Sequence, residues 1–476
     1  MYSYSILKYL TRETKILVRY KHPPNHWSVV RKKVHPVDKA LNHFDDFYEQ
    51  VFGKNWLAIR RALLCKNKYV AVLNYYGDIE DTKYNLELKG ALNMRVLFDL
   101  EKSYIREKTE NIDIVEEISE TVQEFDNQPK DAIVETQKLQ AKDLSLKSSL
   151  EKAEYDTRRL VNVQDALSTE ILYEFIPTTK IKGKEDFLLE STHYKLYDQN
   201  TQFGVNVEKE YDFHFPDHLN IYCFEEGNKS EFPSPKKSIT GVYNYYLMDG
   251  GSVLPVLALD IKPGNRILDM CAAPGGKSLL ALQTLYPSSI VSNDISYSRA
   301  NRIDNVYKQF LFDFDEKWLQ TGKIRLTNYD GRIIEEDTFD RILVDVPCTT
   351  DRHSLHENDN NIFKPSRIKE RLQLPELQRQ LLFQAFKLVK IGGVVVYSTC
   401  SLSPIQNDGV VHMALKQAWE ETNMEFIVKD LSQALLQTKR VYEYADANIL
   451  RYGHLIVPSM KQNYGPTYFC KLQKIK

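Results

Sequence analysis

Two short hydrophobic runs, Ile342-Leu343-Val344 and Val394-Val395-Val396-Tyr397, constrain the possible folds of this chain more than any other feature. Runs of this length and composition read as strands buried on both faces of a parallel sheet. The first leads into Asp345-Val346-Pro347-Cys348 and the second into Ser398-Thr399-Cys400-Ser401, so each sets a cysteine at the carboxyl edge of the sheet. In open α/β sheets that edge is where ligands bind. A third run, Arg266-Ile267-Leu268-Asp269-Met270, turns through Cys271-Ala272-Ala273-Pro274-Gly275-Gly276-Lys277-Ser278 into a helix. Two thiols are therefore expected to face one nucleotide-type pocket.

The glycine turn excludes two common readings. Gly276-Lys277-Ser278 matches the end of a phosphate-binding loop, but the glycine that loop needs five residues earlier is Cys271. A dinucleotide fingerprint needs three spaced glycines, and only the adjacent Gly275 and Gly276 are present. What remains is a tight turn at a helix N-terminus that a small cofactor can approach. The next strand, Ser289 to Asp294, ends in a carboxylate placed to hold ribose hydroxyls. An N-cap for the following helix is the competing role of Asp294.

Composition sets outer bounds. A length of 476 residues corresponds to about three domains. The six cysteines form no close pairs, which argues against both a disulfide framework and a zinc site and fits an intracellular enzyme. The net charge of -2 leaves any nucleic-acid surface local or supplied by a partner, and no apolar stretch is long enough for a membrane span. Residues 1–35 hold eight Lys or Arg against the single acid Glu13, as a mitochondrial presequence does; a helical RNA-binding arm is the rival reading. Residues 101–165 are acid-rich and read as a solvated helical or disordered insert. Phe232 to Ser238 looks like a linker into a helix carrying Tyr245 to Met248. Leu377, Leu381, Leu382, Ala385 and Leu388 give a sheet-covering helix with a stop at Gly392-Gly393.

The set Asp269 to Lys277, Asp294 with Arg299, Asp330-Gly331, Asp345 to Cys348 and Ser398 to Ser401 resembles the NSUN (Nol/Nop/Sun) family of S-adenosylmethionine-dependent RNA cytosine-5 methyltransferases. The run Val346 to His356 and the C-terminal Asn463 to Lys471 are most similar to the mitochondrial branch that modifies small-subunit ribosomal RNA. The match is continuous from about Tyr243 onward, with a hole at roughly 101–165.

The resemblance implies a mechanism that the chemistry of cytosine makes intelligible. Carbon 5 is too weak a nucleophile to attack a methylsulfonium, so a thiolate first adds at carbon 6; a proton must later leave carbon 5. A free thiol titrates near ~8.5 and needs a nearby cation or helix N-terminus to ionise at neutral pH. By resemblance Cys400 is that nucleophile and Cys348 assists breakdown of the adduct, whereas two buried structural cysteines would be the bland alternative. Asp345 is expected to orient the base and stabilise charge, or else only to cap its turn. Lys277 is expected to point into the site. The resemblance places the cofactor among Cys271, Ala272, Ala273, Pro274, Gly275, Gly276, Lys277, Asp294, Arg299, Asp330 and Asp345, with Asp330 on the adenine side unless it merely opens an Asp-Gly turn. Lys364, Arg367, Lys369 and Arg371, with Arg379, form a basic cluster suited to RNA phosphates, although a basic helix face is commonly just solvated.

The implied architecture is a doubly wound, Rossmann-like methyltransferase sheet with antiparallel C-terminal strands over Glu425–Val428, His454–Val457 and Tyr468–Leu472, preceded by a smaller helical region. Its segments are 1–35 for mitochondrial targeting, 36–100 helical, 101–165 insert, 166–240 connecting, and 241–476 catalytic. No RNA-binding module is recognisable, so affinity for RNA is expected to draw on a partner; the resemblance suggests an mTERF-type helical-repeat protein in the mitochondrial matrix. A transfer-RNA methyltransferase would share every catalytic residue. A non-catalytic ribosome-assembly factor is the reading from another class, and retention of both thiols argues against it.

Overall fold

The computed structural model describes residues 35–107, 204–335 and 338–476. The presequence reading of residues 1–35 lies outside the described residues except for His35, and so does the acidic insert beyond residue 107. The chain opens with the helix Pro36–Phe52, started by Pro36 in its first turn and by Asp38, which accepts the His35 backbone N–H at 3.2 Å. Ala40, Phe44, Phe47, Tyr48 and Phe52 recur at helical spacing and are buried. Their face packs on the C-terminal half: the Phe44 and Phe363 rings meet edge-on with centroids 5.3 Å apart. A second helix, Trp56–Leu64, follows.

Residues 36–100 are not purely helical. They contribute β1 (Tyr69–Leu73) and β2 (Ala91–Asn93), and these join β4 (Ile221–Phe224) and β5 (Tyr245–Asp249) in a four-stranded antiparallel sheet of order β2-β4-β1-β5. The helix expected around Tyr245 to Met248 is therefore a strand. Its two adjacent tyrosines fit a pleated surface better than a helix, and full pairing from Tyr69 to Leu73 with Asp249 to Tyr245 supplies the tertiary context. Thus β5 belongs with the N-terminal sheet although it falls beyond residue 240.

The main sheet contains β3 (Asn206–Lys209), β6 (Arg266–Asp269), β7 (Ser289–Asn293), β8 (Ile324–Thr327), β9 (Phe339–Asp345), β10 (Val389–Thr399), β11 (Phe426–Asp430), β12 (His454–Ile456) and β13 (Thr467–Lys474). Its order is β3-β11-β13-β10-β9-β6-β7-β8, with β12 pairing onto β13. From β8 to β10 all neighbours are parallel, and β13 runs antiparallel to β10, β11 and β12. The "connecting" region supplies β3, which pairs in parallel with β11. This is a doubly wound, Rossmann-like sheet with antiparallel C-terminal strands. Strand order reverses between β6 and β9, so the crevice beyond their carboxyl ends is the switch point where such sheets bind ligands.

The helix Ile368–Leu388 covers β9 and β10 and ends four residues before the glycines expected to stop it. Gly392 and Gly393 instead lie within β10, where the register with β9 shifts between Val389 and Val394. A Cβ on Gly393 would sit 2.9 Å from the Asp340 carbonyl oxygen, so the close approach of the two strands requires glycine there.

Candidate active site

Parallel pairing of β9 with β10 sets Asp345 opposite Ser398, and each strand then turns into its thiol loop. Cys348 Sγ and Cys400 Sγ end 3.0 Å apart. Cys348 is buried, while Cys400 is exposed in the crevice. Ser398 Oγ donates to Asp345 Oδ1 at 2.7 Å, and Lys277 Nζ, from the first turn of the helix Gly276–Gln283, reaches Asp345 Oδ2 at 2.6 Å. Cys348, Cys400, Asp345 and Lys277 thus meet from three neighbouring strands, with Lys277 pointing inward rather than into solvent.

The groups around Cys400 set how readily its thiol ionises. The Cys400 thiol is held well above its ordinary value, first by its hydrogen bond with Cys348, then by loss of solvent and by the charges of Cys348 and Asp345; Lys277 opposes them. The neighbouring sulfur is the largest of these influences. Burial disfavours the Lys277 ammonium, yet Asp345 more than offsets this and its pKa stands above the ordinary range, so Lys277 is a fixed cation beside the pair.

The turn after β6 forms the other wall. Gly275 has φ +107°, a conformation that favours glycine, and its Cβ position lies 3.3 Å from Ile303 Cγ2. At Gly276 the space a Cβ would fill is taken by the Tyr246 ring, 2.9 Å away, so glycine here admits Tyr246 rather than leaving an open backbone. Cys271, Ala272, Ala273 and Pro274 link β6 to this turn, and burial pushes the Cys271 thiol up, away from reactivity. The first-turn N–H groups of the helix that begins at Gly276 have no intrahelical acceptor.

At the end of β7, Asp294 is 2 % exposed. Its Oδ2 pairs with Arg299 at 3.1 Å, and its Oδ1 accepts the Ser296 N–H at 3.0 Å; Ser296 is the N-cap of the helix Tyr297–Phe310, so Asp294 closes the turn before the helix rather than capping it. Arg299 also reaches the Ala273 carbonyl at 3.4 Å, which ties the Gly-Gly turn to Asp294. Asp330 follows β8, but its carboxylate is gripped by Arg332, which holds it below the ordinary carboxylate range.

Asp269, which ends β6, carries a signal that sequence reasoning did not use. It is 1 % exposed; Oδ2 accepts from Ser278 Oγ at 2.5 Å, while Oδ1 is buried without a hydrogen-bond partner. Desolvation pushes this carboxyl up to about 7. An orphaned acceptor at the switch point suits a ligand that brings its own donor.

The basic cluster divides. Arg371 is buried, with its guanidinium 4.5 Å from the Phe363 ring centroid, so it is structural rather than a phosphate ligand. Arg367 pairs with Glu370 at 2.6 Å and Arg379 with Glu376 at 2.5 Å. Lys369 is exposed and Lys364 half-buried. Among the described residues there is no group of three metal-ligating side chains, and no helix is long and apolar enough to cross a membrane.

The family model described as 16S rRNA methyltransferase RsmB/F matches residues 256–463. The chain is similar to the 5-cytosine rRNA methyltransferase NSUN4 of Xenopus laevis, at 33% identity over 453 residues that span 94% of this chain and 93% of the relative. It is similar to the 5-cytosine rRNA methyltransferase nsun-4 of Caenorhabditis elegans, at 34% over 460 residues, 93% of this chain and 92% of the relative. Over a shorter stretch it matches the mitochondrial tRNA (cytosine(34)-C(5))-methyltransferase of Mus musculus, at 32% over 264 residues, 55% of this chain and 72% of the relative.

Proposed function

Since the chain belongs to the NSUN family of RNA cytosine-5 methyltransferases, we propose that it methylates a cytosine of mitochondrial small-subunit ribosomal RNA through a covalent adduct at carbon 6. The observation that carries the mechanism is the approach of Cys400 to Cys348 at 3.0 Å beside the Lys277–Asp345 pair. The ribosomal substrate is supported by relatives named for rRNA that are 33–34% identical over 93–94% of the chain.

S-adenosylmethionine fits the second wall. Asp294 would take the ribose, the first-turn N–H groups and the orphaned Asp269 Oδ1 would take polar groups of the methionyl end, and Asp330 the adenine side. When bound, the cofactor supplies the electrophilic methyl group.

The chain's own residues do the rest. Lys277 stabilises the Cys400 thiolate, which attacks carbon 6. Asp345, held by Ser398 and Lys277, keeps a lone pair for the exocyclic amine or the protonated ring nitrogen of the base, and so balances charge as electron density moves to carbon 5. After methylation Cys348 assists release: as base it takes the carbon-5 proton, the electron pair of that C–H bond restores the 5,6 double bond, and the Cys400–carbon bond breaks to return the Cys400 thiolate. Lys364 and Lys369 hold RNA phosphates. Delivery to the matrix by residues 1–35 and an mTERF-type helical-repeat partner belong to the same proposal.

Bisulfite sequencing of RNA treated with purified protein and cofactor tests the reading. A new methylcytosine in small-subunit ribosomal RNA is expected; modification of transfer RNA alone would replace the substrate, and none in either would favour a non-catalytic assembly factor.

A further inference from the structure

The residue that follows each thiol turns a hydroxyl toward one buried carboxylate. Thr349 Oγ1, next to Cys348, is 2.5 Å from Asp351 Oδ1. Ser401 Oγ, next to Cys400, is 3.2 Å from Oδ1 and 3.3 Å from Oδ2 of the same group, and the two hydroxyls are 2.8 Å apart. Leu402 donates its backbone N–H to Asp351 Oδ2 at 2.7 Å. Tyr48 Oη, from the N-terminal helix, donates to the same oxygen at 2.6 Å. Asp351 is 0 % exposed, a placement that costs several kcal/mol unless the carboxylate is fully hydrogen-bonded. Gln406 braces the same loop by accepting the Thr349 N–H at 3.1 Å and donating to Thr349 Oγ1 at 3.2 Å.

This convergence is more than a stability device. The two loops come from different strands; after the last ladder contact, Val346 N to the Ser398 carbonyl at 3.1 Å, their backbones meet through a longer one, Asp351 N to the Cys400 carbonyl at 3.4 Å. Beyond those contacts the spacing of the two thiol-bearing turns is held by side chains, and Asp351 accepts from both loops and from the N-terminal helix. Neighbouring bonds carry the constraint outward: Arg352 donates to the carbonyls of Ala62 and Cys65, and His356 bonds the Leu63 carbonyl.

We propose that Asp351 is a positioning residue that fixes the spacing and orientation of Cys348 and Cys400, with Tyr48 transmitting that constraint from the N-terminal helix. The proposal rests on the two-thiol reading above. It assigns Asp351 no contact with RNA or cofactor, so it acts on catalysis only through the thiols.

The test measures sulfur approach directly. With added diamide, the two thiols give up two hydrogens and two electrons to form one disulfide while the azo bond is reduced to a hydrazine; loss of two alkylatable thiols reports the rate. Asp351→Asn keeps the volume but turns an amide NH2 toward a donor. Disulfide formation is expected to slow about tenfold and kcat to fall on the order of tenfold to a hundredfold, since about 1 Å of misplacement costs that much. The KM for RNA and calorimetric affinity for the cofactor are expected to stay near wild type. Tyr48→Phe removes one donor and should move the same two rates in the same direction by less. Wild-type oxidation rates in folded Asp351→Asn would overturn the proposal. Should that variant fail to fold, Tyr48→Phe decides, and an unchanged rate there is equally fatal. Wild-type protein that neither methylates nor crosslinks RNA would defeat the parent reading while leaving the oxidation comparison to judge Asp351 separately.

Discussion

Lys277 Nζ and Asp345 Oδ2 meet at 2.6 Å across the switch point, joining the helix after β6 to the end of β9. Asp345 holds the lysine charged, and the lysine is the cation that counters every other influence on the Cys400 thiol. The glycine turn after β6 and the thiol-bearing edge of β9 and β10 are thus electrostatically one unit.

This pair makes the thiol pH profile a test of Lys277. Because Cys400 is held above the ordinary thiol range, single-turnover methyl transfer should still be rising with pH at neutrality. Lys277→Met removes the opposing cation, so the rising limb should move to higher pH, with a loss of about 10²–10³-fold at neutral pH, typical of removing a positioned catalytic charge. Equal losses at all pH values would assign Lys277 to packing instead.

Asp269 gives a stability signature of defined sign. Its folded-state pKa of about 7 lies above the ordinary 3.8, so the protonated form is favoured by folding. That stabilisation is complete below the ordinary value and is lost as pH rises through about 7. At about 1.4 kcal/mol per unit the ceiling is about 4 kcal/mol. Without cofactor, wild type should lose Tm between pH 5 and 7.5, and Asp269→Asn should flatten that slope. A parallel fall in the variant, read by calorimetry, would place the titration on another group.

Much of this site was legible because β-strand runs and glycine turns are local signals. Ile342 to Val344 and Val394 to Tyr397 do form adjacent parallel strands, so the 52-residue gap between Cys348 and Cys400 closes to hydrogen-bonding distance. What escaped was non-local. Tyr245 and Tyr246 read as helical from sequence alone because nothing nearby announces β1, their partner more than 170 residues earlier. Arg371 counted as surface charge because its burial depends on Phe363, which is itself covered by the distant Phe44. Asp351 sat within the Pro-Cys run, but its value comes from Tyr48 and Ser401, which no spacing rule connects.

The divided basic cluster predicts a divided mutational response. Lys364→Ala and Lys369→Ala should each weaken RNA binding a few-fold and shallow the salt dependence by about one phosphate contact. Arg371→Ala should leave that slope alone and instead cost stability, about 1–3 kcal/mol, through loss of its stacking and buried stem. Filter binding over a salt series, alongside denaturant unfolding, separates the two. A reduced salt slope in Arg371→Ala would return it to the RNA surface.

The two thiols should part company when removed one at a time. If Cys400 attacks carbon 6, Cys400→Ala abolishes both methyl transfer and any protein–RNA adduct, because carbon 5 is never activated. If Cys348 only assists release, Cys348→Ala still attacks and methylates once, then stalls as a crosslink. The 3.0 Å approach gives a reason for the difference: once Cys400 is bonded to the base, Cys348 stands beside it to act on the adduct. Losing Cys348 also removes the largest influence holding Cys400 protonated, so adduct formation in Cys348→Ala should be at least as fast as in wild type at neutral pH. A denaturing gel with RNA and cofactor reads both rates. A stable adduct in Cys400→Ala and none in Cys348→Ala would reverse the roles, and full activity without either thiol would return both cysteines to packing.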